Sequence, residues 1–137
     1  MTIALAPPPI LPEQRLMLDG VDWDTYFAMR KGGEADPRVE REALAEIVDT
    51  AARLCASLEP ELRAGWAQAA RLENGEVVYP PHIAHGYDAL AKAGLVSFGV
   101  EEQYGGFGLP VLVTNTILQM IARADAGLMT IIGLQAG

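Results

Sequence analysis

Cysteine is nearly absent from this 137-residue sequence: Cys55 stands alone. One thiol makes no internal disulfide and no cysteine-built zinc site, and a reducing, cytoplasmic setting is the expectation. Positive charge is also scarce. Ten Lys and Arg face eighteen Asp and Glu, for a formal net charge of −8. That balance argues against nucleic acid or an anionic membrane surface as partner, because both reward clustered cations. Long apolar runs are missing too. The longest, Leu109 to Ala122, contains Thr114, Asn115, Thr116 and Gln119, so it is too short and too polar to span a bilayer. The start, MTIALAPPPI, has no basic stretch and carries three prolines, which excludes a convincing signal peptide. No internal repeat is present.

What the sequence does have is helical patterning. Half of the residues are apolar, as in a globular chain of one-domain length. Residues 1–35 read as a lead-in with a short helix. Met1 to Pro12 is extended or flexible, and then Asp22 precedes Trp23 and Phe27, with Gly32-Gly33 as the stop. Asp36 suits a helix cap and Pro37 a first helical position. The stripe Leu44, Ile47, Val48, Ala51, Leu54, Cys55 and Leu58 follows at helical spacing, and Pro60 is expected to end or kink it. Glu61 to Leu72 has weaker helical character. Asn74-Gly75 signals a turn, and Glu76 to Tyr79 is extended ahead of Pro80 and Pro81. Those prolines open a helix bearing Ile83, Tyr87 and Leu90 that stops at Gly94. Pro110 opens a strongly apolar helix to about Asp125, Gly127 punctuates it, and Leu128 to Gln135 begins another. The fold class expected is all-α. The most apolar part is the carboxyl end, which points to a missing packing partner.

Few residues offer chemistry. The loop EEQYGGFGLP, Glu101 to Pro110, has glycines at 105, 106 and 108. No Lys-Ser/Thr follows, so it is not a phosphate-cradling P-loop. No third glycine follows at dinucleotide-motif spacing either. A tight connection between helices fits better, pinned to the core by Tyr104, Phe107 and Leu109. His82 and His85 are three apart near a helix start, but zinc sites usually need three protein ligands, so no metal site is assigned. Glu101 and Glu102 are adjacent and diverge, whereas an acid–base pair must converge. Cys55 lies on an apolar stripe and reads as a buried, inert thiol.

The loop and its flanks resemble the amino-terminal helical domain of the acyl-CoA dehydrogenase family. The resemblance rests on the run Glu101, Glu102, Gln103, Tyr104, Gly105, Gly106, Phe107, Gly108, Leu109, and on the approach Leu90-Ala91-Lys92-Ala93-Gly94-Leu95 before Val100. The stretch Arg71 to Pro81 is similar to a longer bacterial branch. Together they cover residues 36–137 as one helical up-and-down domain, incomplete at its carboxyl end. The resemblance implies a parent enzyme with FAD as cofactor that removes two hydrogens from an acyl-CoA thioester. It also implies a β domain and a carboxyl-terminal helical domain, or a partner subunit carrying them, and a homo-oligomeric parent. The flavin motif and the catalytic base belong to those other domains. No catalytic or cofactor-binding residue therefore carries over to this chain, and no FAD is expected on it alone. The helix after the break helps line the acyl pocket in the family, which maps to Met129, Ile132 and Gly133. Two other readings fit the same residues: a non-catalytic helical interaction module, and a fragment of an acyl-CoA oxidase.

Overall fold

Asp36 and Pro37 start the longest element. In the computed structural model, which describes residues 9–30 and 36–135, Asp36 is extended and its carboxylate accepts the Arg38 backbone N–H at 2.9 Å. The side-chain hydrogen bond from Arg38 holds that carboxyl below its ordinary value, helped by the same backbone N–H. Helix α3 then runs Pro37–Gly65. It buries Leu44, Val48, Ala51, Ala52, Cys55, Leu58 and Leu62 along one face, the spacing of an amphipathic helix.

Pro60 does not end this helix, one of the two outcomes expected of it. It sits on the exposed face, where water can satisfy the carbonyl one turn back that loses its N–H donor. Leu58 and Leu62 are buried on the opposite side. Their packing holds the helix together across a proline that would cost an isolated helix about 3 kcal/mol.

Two short helices precede α3: α1, Pro12–Asp19, and α2, Trp23–Arg30. The sequence pattern pointed only to the second. Helix α1 shows no apolar stripe, and Leu16 and Met17 face outward. It is held instead by Gln14, which is buried. Gln14 Oε1 accepts the Leu11 N–H at 3.0 Å, and Gln14 Nε2 donates to Gln119 Oε1 at 3.4 Å on a later helix. Trp23 Nε1 donates to the Leu18 carbonyl at 2.8 Å, joining α1 to α2, and Trp23, Tyr26 and Phe27 form one aromatic cluster. The lead-in through Pro8 and the expected Gly32-Gly33 stop lie outside the described residues.

After α3 the chain forms a hairpin, β1 Arg71–Glu73 and β2 Glu76–Val78. The Asn74-Gly75 turn signal was correct, but Arg71 to Leu72 is strand rather than helix. Pairing across the turn outweighs the weak helical character there. Helix α4, Pro81–Lys92, follows, with Pro80 at its cap position. A 3₁₀ turn, Glu102–Tyr104, leads to α5, Val111–Ala124, and α6, Ala126–Gln135.

Helix α5 is the centre of the bundle. It packs on α3 and on α6, and α1 also touches it, while α2 and α4 lean on α3. Val113, Ile117, Met120 and Ile121 are buried along α5. Its one wholly buried hydroxyl, Thr116, is satisfied by the Leu112 carbonyl at 2.8 Å. The break between α5 and α6 falls at Asp125, not at Gly127. Asp125 is extended, and its Oδ1 accepts the Leu128 N–H at 2.8 Å, capping α6. A cap carboxylate starts a helix more firmly than a glycine inside its first turn stops one.

Two glycines let α3, α4 and α6 meet closely. A Cβ on Gly65 would lie 2.2 Å from His82 Nδ1, and one on Gly86 would lie 2.8 Å from Leu128 Cδ2 and 3.2 Å from Leu62 Cδ2. Only residues without side chains fit there.

Candidate functional site

The glycine-rich loop is built on its own backbone. Glu101 is extended and starts the 3₁₀ turn, and Gly105 closes it in the left-handed region at φ 86°. Gly106 N–H donates to the Glu101 carbonyl at 3.3 Å, Gly108 N–H to Val100 at 2.7 Å, and Leu109 N–H to Phe98 at 2.9 Å. Arg30 of α2 donates to the Gly108 carbonyl. A Cβ on Gly106 would lie 2.1 Å from the Val100 oxygen and 2.5 Å from the Ser97 oxygen. The close approach that Gly106 allows is therefore to the chain's own carbonyls. The loop does not fit the pyrophosphate of FAD: its tightest glycine is filled by carbonyl oxygens, and carboxylates stand at its start.

The pins of this loop differ in part from expectation. Phe98, wholly buried, is the anchor beneath it. Phe107 rests its ring against Gly94 but stays 40% exposed, and Tyr104 is 75% exposed. Leu109 is half-buried and packs on the core. Tyr104 lies within the 3₁₀ turn, which carries its side chain outward.

His82 and His85 are not brought together. His82 is buried at 7% exposure with its ring over Gly65, and its Nδ1 has no hydrogen-bond partner among the described residues. His85 is exposed and meets Glu61 at 2.8 Å across the α3–α4 contact. Only His85 is a surface residue, because Gly65 opens a slot that buries the His82 ring. Among the described residues, no cluster of three or more His, Cys, Asp or Glu is placed to hold a metal. The Glu101 carboxylate accepts from its own loop's Gln103 at 2.5 Å, and Glu102 opens the 3₁₀ turn.

Cys55 is buried, and burial pushes its thiol up to about 12. The unfolded thiol ionises near 9.0, so the native state favours the protonated form. This contribution to stability is intact below pH 9 and declines as pH rises towards 12. Thiol-reactive probes should modify Cys55 only as fast as the chain opens. Labelling kinetics in increasing denaturant check this, and rapid native-state labelling would refute it.

On α6, Ile132 is 0% exposed and faces the core, while Met129 and Gly133 are half-buried, Met129 packing on the core's edge and Gly133 facing Leu118 of α5. A surface groove of about 440 Å³ runs past Trp66, Tyr79, His82, Asp125 and Thr130, and none of the three lines it. No described helix is long and apolar enough to cross a membrane.

Comparison with known proteins agrees with this geometry. The sequence profile of a family described as acyl-CoA dehydrogenase, N-terminal domain, matches residues 41–137. A 3-methylmercaptopropionyl-CoA dehydrogenase of Ruegeria pomeroyi (strain ATCC 700808 / DSM 15171 / DSS-3) is 31% identical over 104 residues. Those residues are 75% of this chain and 17% of the relative, so the chain matches only a small part of the relative's length. No solved structure matches. An all-α bundle, a helix-joining glycine loop and a family match across most of the described residues lead to one conclusion: the chain belongs to the acyl-CoA dehydrogenase family, as its amino-terminal helical domain.

Proposed function

We propose that this chain is the amino-terminal helical part of an FAD-dependent enzyme that dehydrogenates acyl-CoA thioesters between the α and β carbons. Residues 36–137 form the helical domain, and residues 1–35 lead into it. The flavin and the catalytic base are supplied by further domains or by a partner subunit that carries them, and the chain alone is inactive. The parent enzyme is a cytoplasmic homo-oligomer that works in fatty-acid metabolism.

Helix α6 is the observation that carries this reading. Its ten residues, AGLMTIIGLQ, are almost all apolar, yet only Leu128 and Ile132 are buried. Met129, Ile131, Gly133 and Leu134 remain partly or wholly open. An apolar helix with one covered face marks a surface that packs against something else. Here that is the flavin domain together with the acyl chain, each buried methylene of which gains about 0.8 kcal/mol. Met129 and Gly133 face the acyl tail, and Ile132 supports them from the core side.

Gly133 gives the test. A Cβ there meets nothing closer than 3.7 Å, from Leu118 and Met129, which is ordinary van der Waals contact. Gly133→Phe in the assembled parent enzyme should lower kcat/KM for long acyl chains by roughly tenfold or more, about 1.4 kcal/mol, with short chains spared. Equal loss for all chain lengths, or no loss, would remove α6 from the acyl pocket.

A further inference from the structure

The hairpin presents two unlike faces. The register pairs Arg71 with Val78, Leu72 with Val77 and Glu73 with Glu76. Leu72 and Val77 therefore share one face, at 74% and 61% exposure. Arg71, Glu73, Glu76 and Val78 share the other. Asn74 and Gly75 both have positive φ, 52° and 85°, the signature of a two-residue primed turn. In such a turn the flanking pair, Glu73 and Glu76, exchanges the hydrogen bonds. The next pair then directs its N–H and C=O outward. The outer N–H and C=O of Val77 have no hydrogen-bond partner among the described residues.

The two edges differ in charge. On β1, Arg71 pairs with Glu73 at 3.0 Å. On β2, the Glu76 carboxylate has neither an ion pair nor a hydrogen bond among the described residues, and Glu76 lies directly across from Glu73. Like charges opposite one another weaken a hairpin, and a two-stranded sheet with an open apolar face is marginal alone. We infer that the outer edge of β2 takes an added strand from a partner polypeptide, one in which an apolar residue alternates with Lys or Arg. The alternation matches both faces at once: the apolar residue covers Leu72 and Val77, and the cation meets Glu76. Main-chain pairing to Val77 supplies the register. The β2 strand of a second copy carries no cation to meet Glu76, and the copy brings the same net charge of −8, so a cationic partner fits this edge better.

Amide hydrogen exchange on the whole chain tests this, with two synthetic heptapeptides as probes, one alternating Val and Lys, the other Val and Glu. The Val–Lys peptide should slow exchange at Val77 severalfold, and the Val–Glu peptide should not. Glu76→Lys should reverse the preference. Val77→Pro, which removes the outward N–H together with the Val77 side chain, should abolish binding of a fluorescently labelled Val–Lys peptide while α3 and α4 exchange as before. Equal protection by both peptides, no protection by either, or an unchanged preference in Glu76→Lys would overturn the inference. Slowing that grows with protein concentration without peptide would also overturn it, in favour of self-pairing.

Discussion

Gly106→Ala should destabilise the chain by about 3 kcal/mol or more, because its new Cβ meets backbone that cannot step aside. The atoms in the way are the carbonyl oxygens of Val100 at 2.1 Å and Ser97 at 2.5 Å. The same segment donates or accepts the bonds that set the loop, including Gly108 N–H to Val100 and Leu109 N–H to Phe98. A loss of this size lowers the melting temperature by roughly 10 °C in a chain of this length. Its neighbour is the control. Gly105 has nothing within 4 Å of a Cβ, so Gly105→Ala meets only the strain of φ 86°, about 1–2 kcal/mol. Thermal denaturation of both variants decides the matter. Equal losses would mean that backbone conformation, rather than close approach, explains the glycines.

Phe98→Ala is the second large effect. Phe98 is the largest of the wholly buried side chains, lies between α4 and the glycine loop, and accepts the Leu109 N–H through its carbonyl. Truncation should cost about 3–5 kcal/mol, from lost transfer energy plus the cavity left behind. That is a large share of the 5–15 kcal/mol that typically separates native from unfolded chains. Phe107→Ala, on a ring that is 40% exposed, should cost under about 1.5 kcal/mol. Urea denaturation of the pair checks the ranking. A loss at Phe107 equal to that at Phe98 would restore Phe107 as the loop's main anchor.

These two variants also mark where sequence reasoning worked and where it stopped. The Asp36-Pro37 start, the α3 stripe, the Pro80-Pro81 start and the Pro110 start were legible because each is a local signal with a local cause. The loop was legible as a connector because the missing Lys-Ser/Thr and the missing third glycine excluded two phosphate-binding motifs. The remainder depended on partners distant in sequence. Pro60 is tolerated because of what Leu58 and Leu62 pack against on the other side of α3. Helix α1 is held by Gln14 reaching Gln119, 105 residues away. His82 is buried because Gly65, on another helix, leaves space for its ring. Ile132 faces inward while Met129 and Gly133 stay half-open, a division set by helix rotation against α5 and α4 rather than by composition.

The candidate site was legible only as a family trait. Composition and spacing exclude a P-loop, a dinucleotide motif and a cysteine-built zinc site, but they do not locate an acyl pocket. The apolar character of α6 was visible from sequence, and the structure adds which of its sides is left open.

Flavin retention tests the central claim most directly, namely that this domain shapes an acyl-CoA dehydrogenase without holding its cofactor. The purified chain is incubated with excess FAD, passed through gel filtration and read by visible absorbance. The chain should elute folded and without flavin. Stoichiometric FAD eluting with the chain would contradict it.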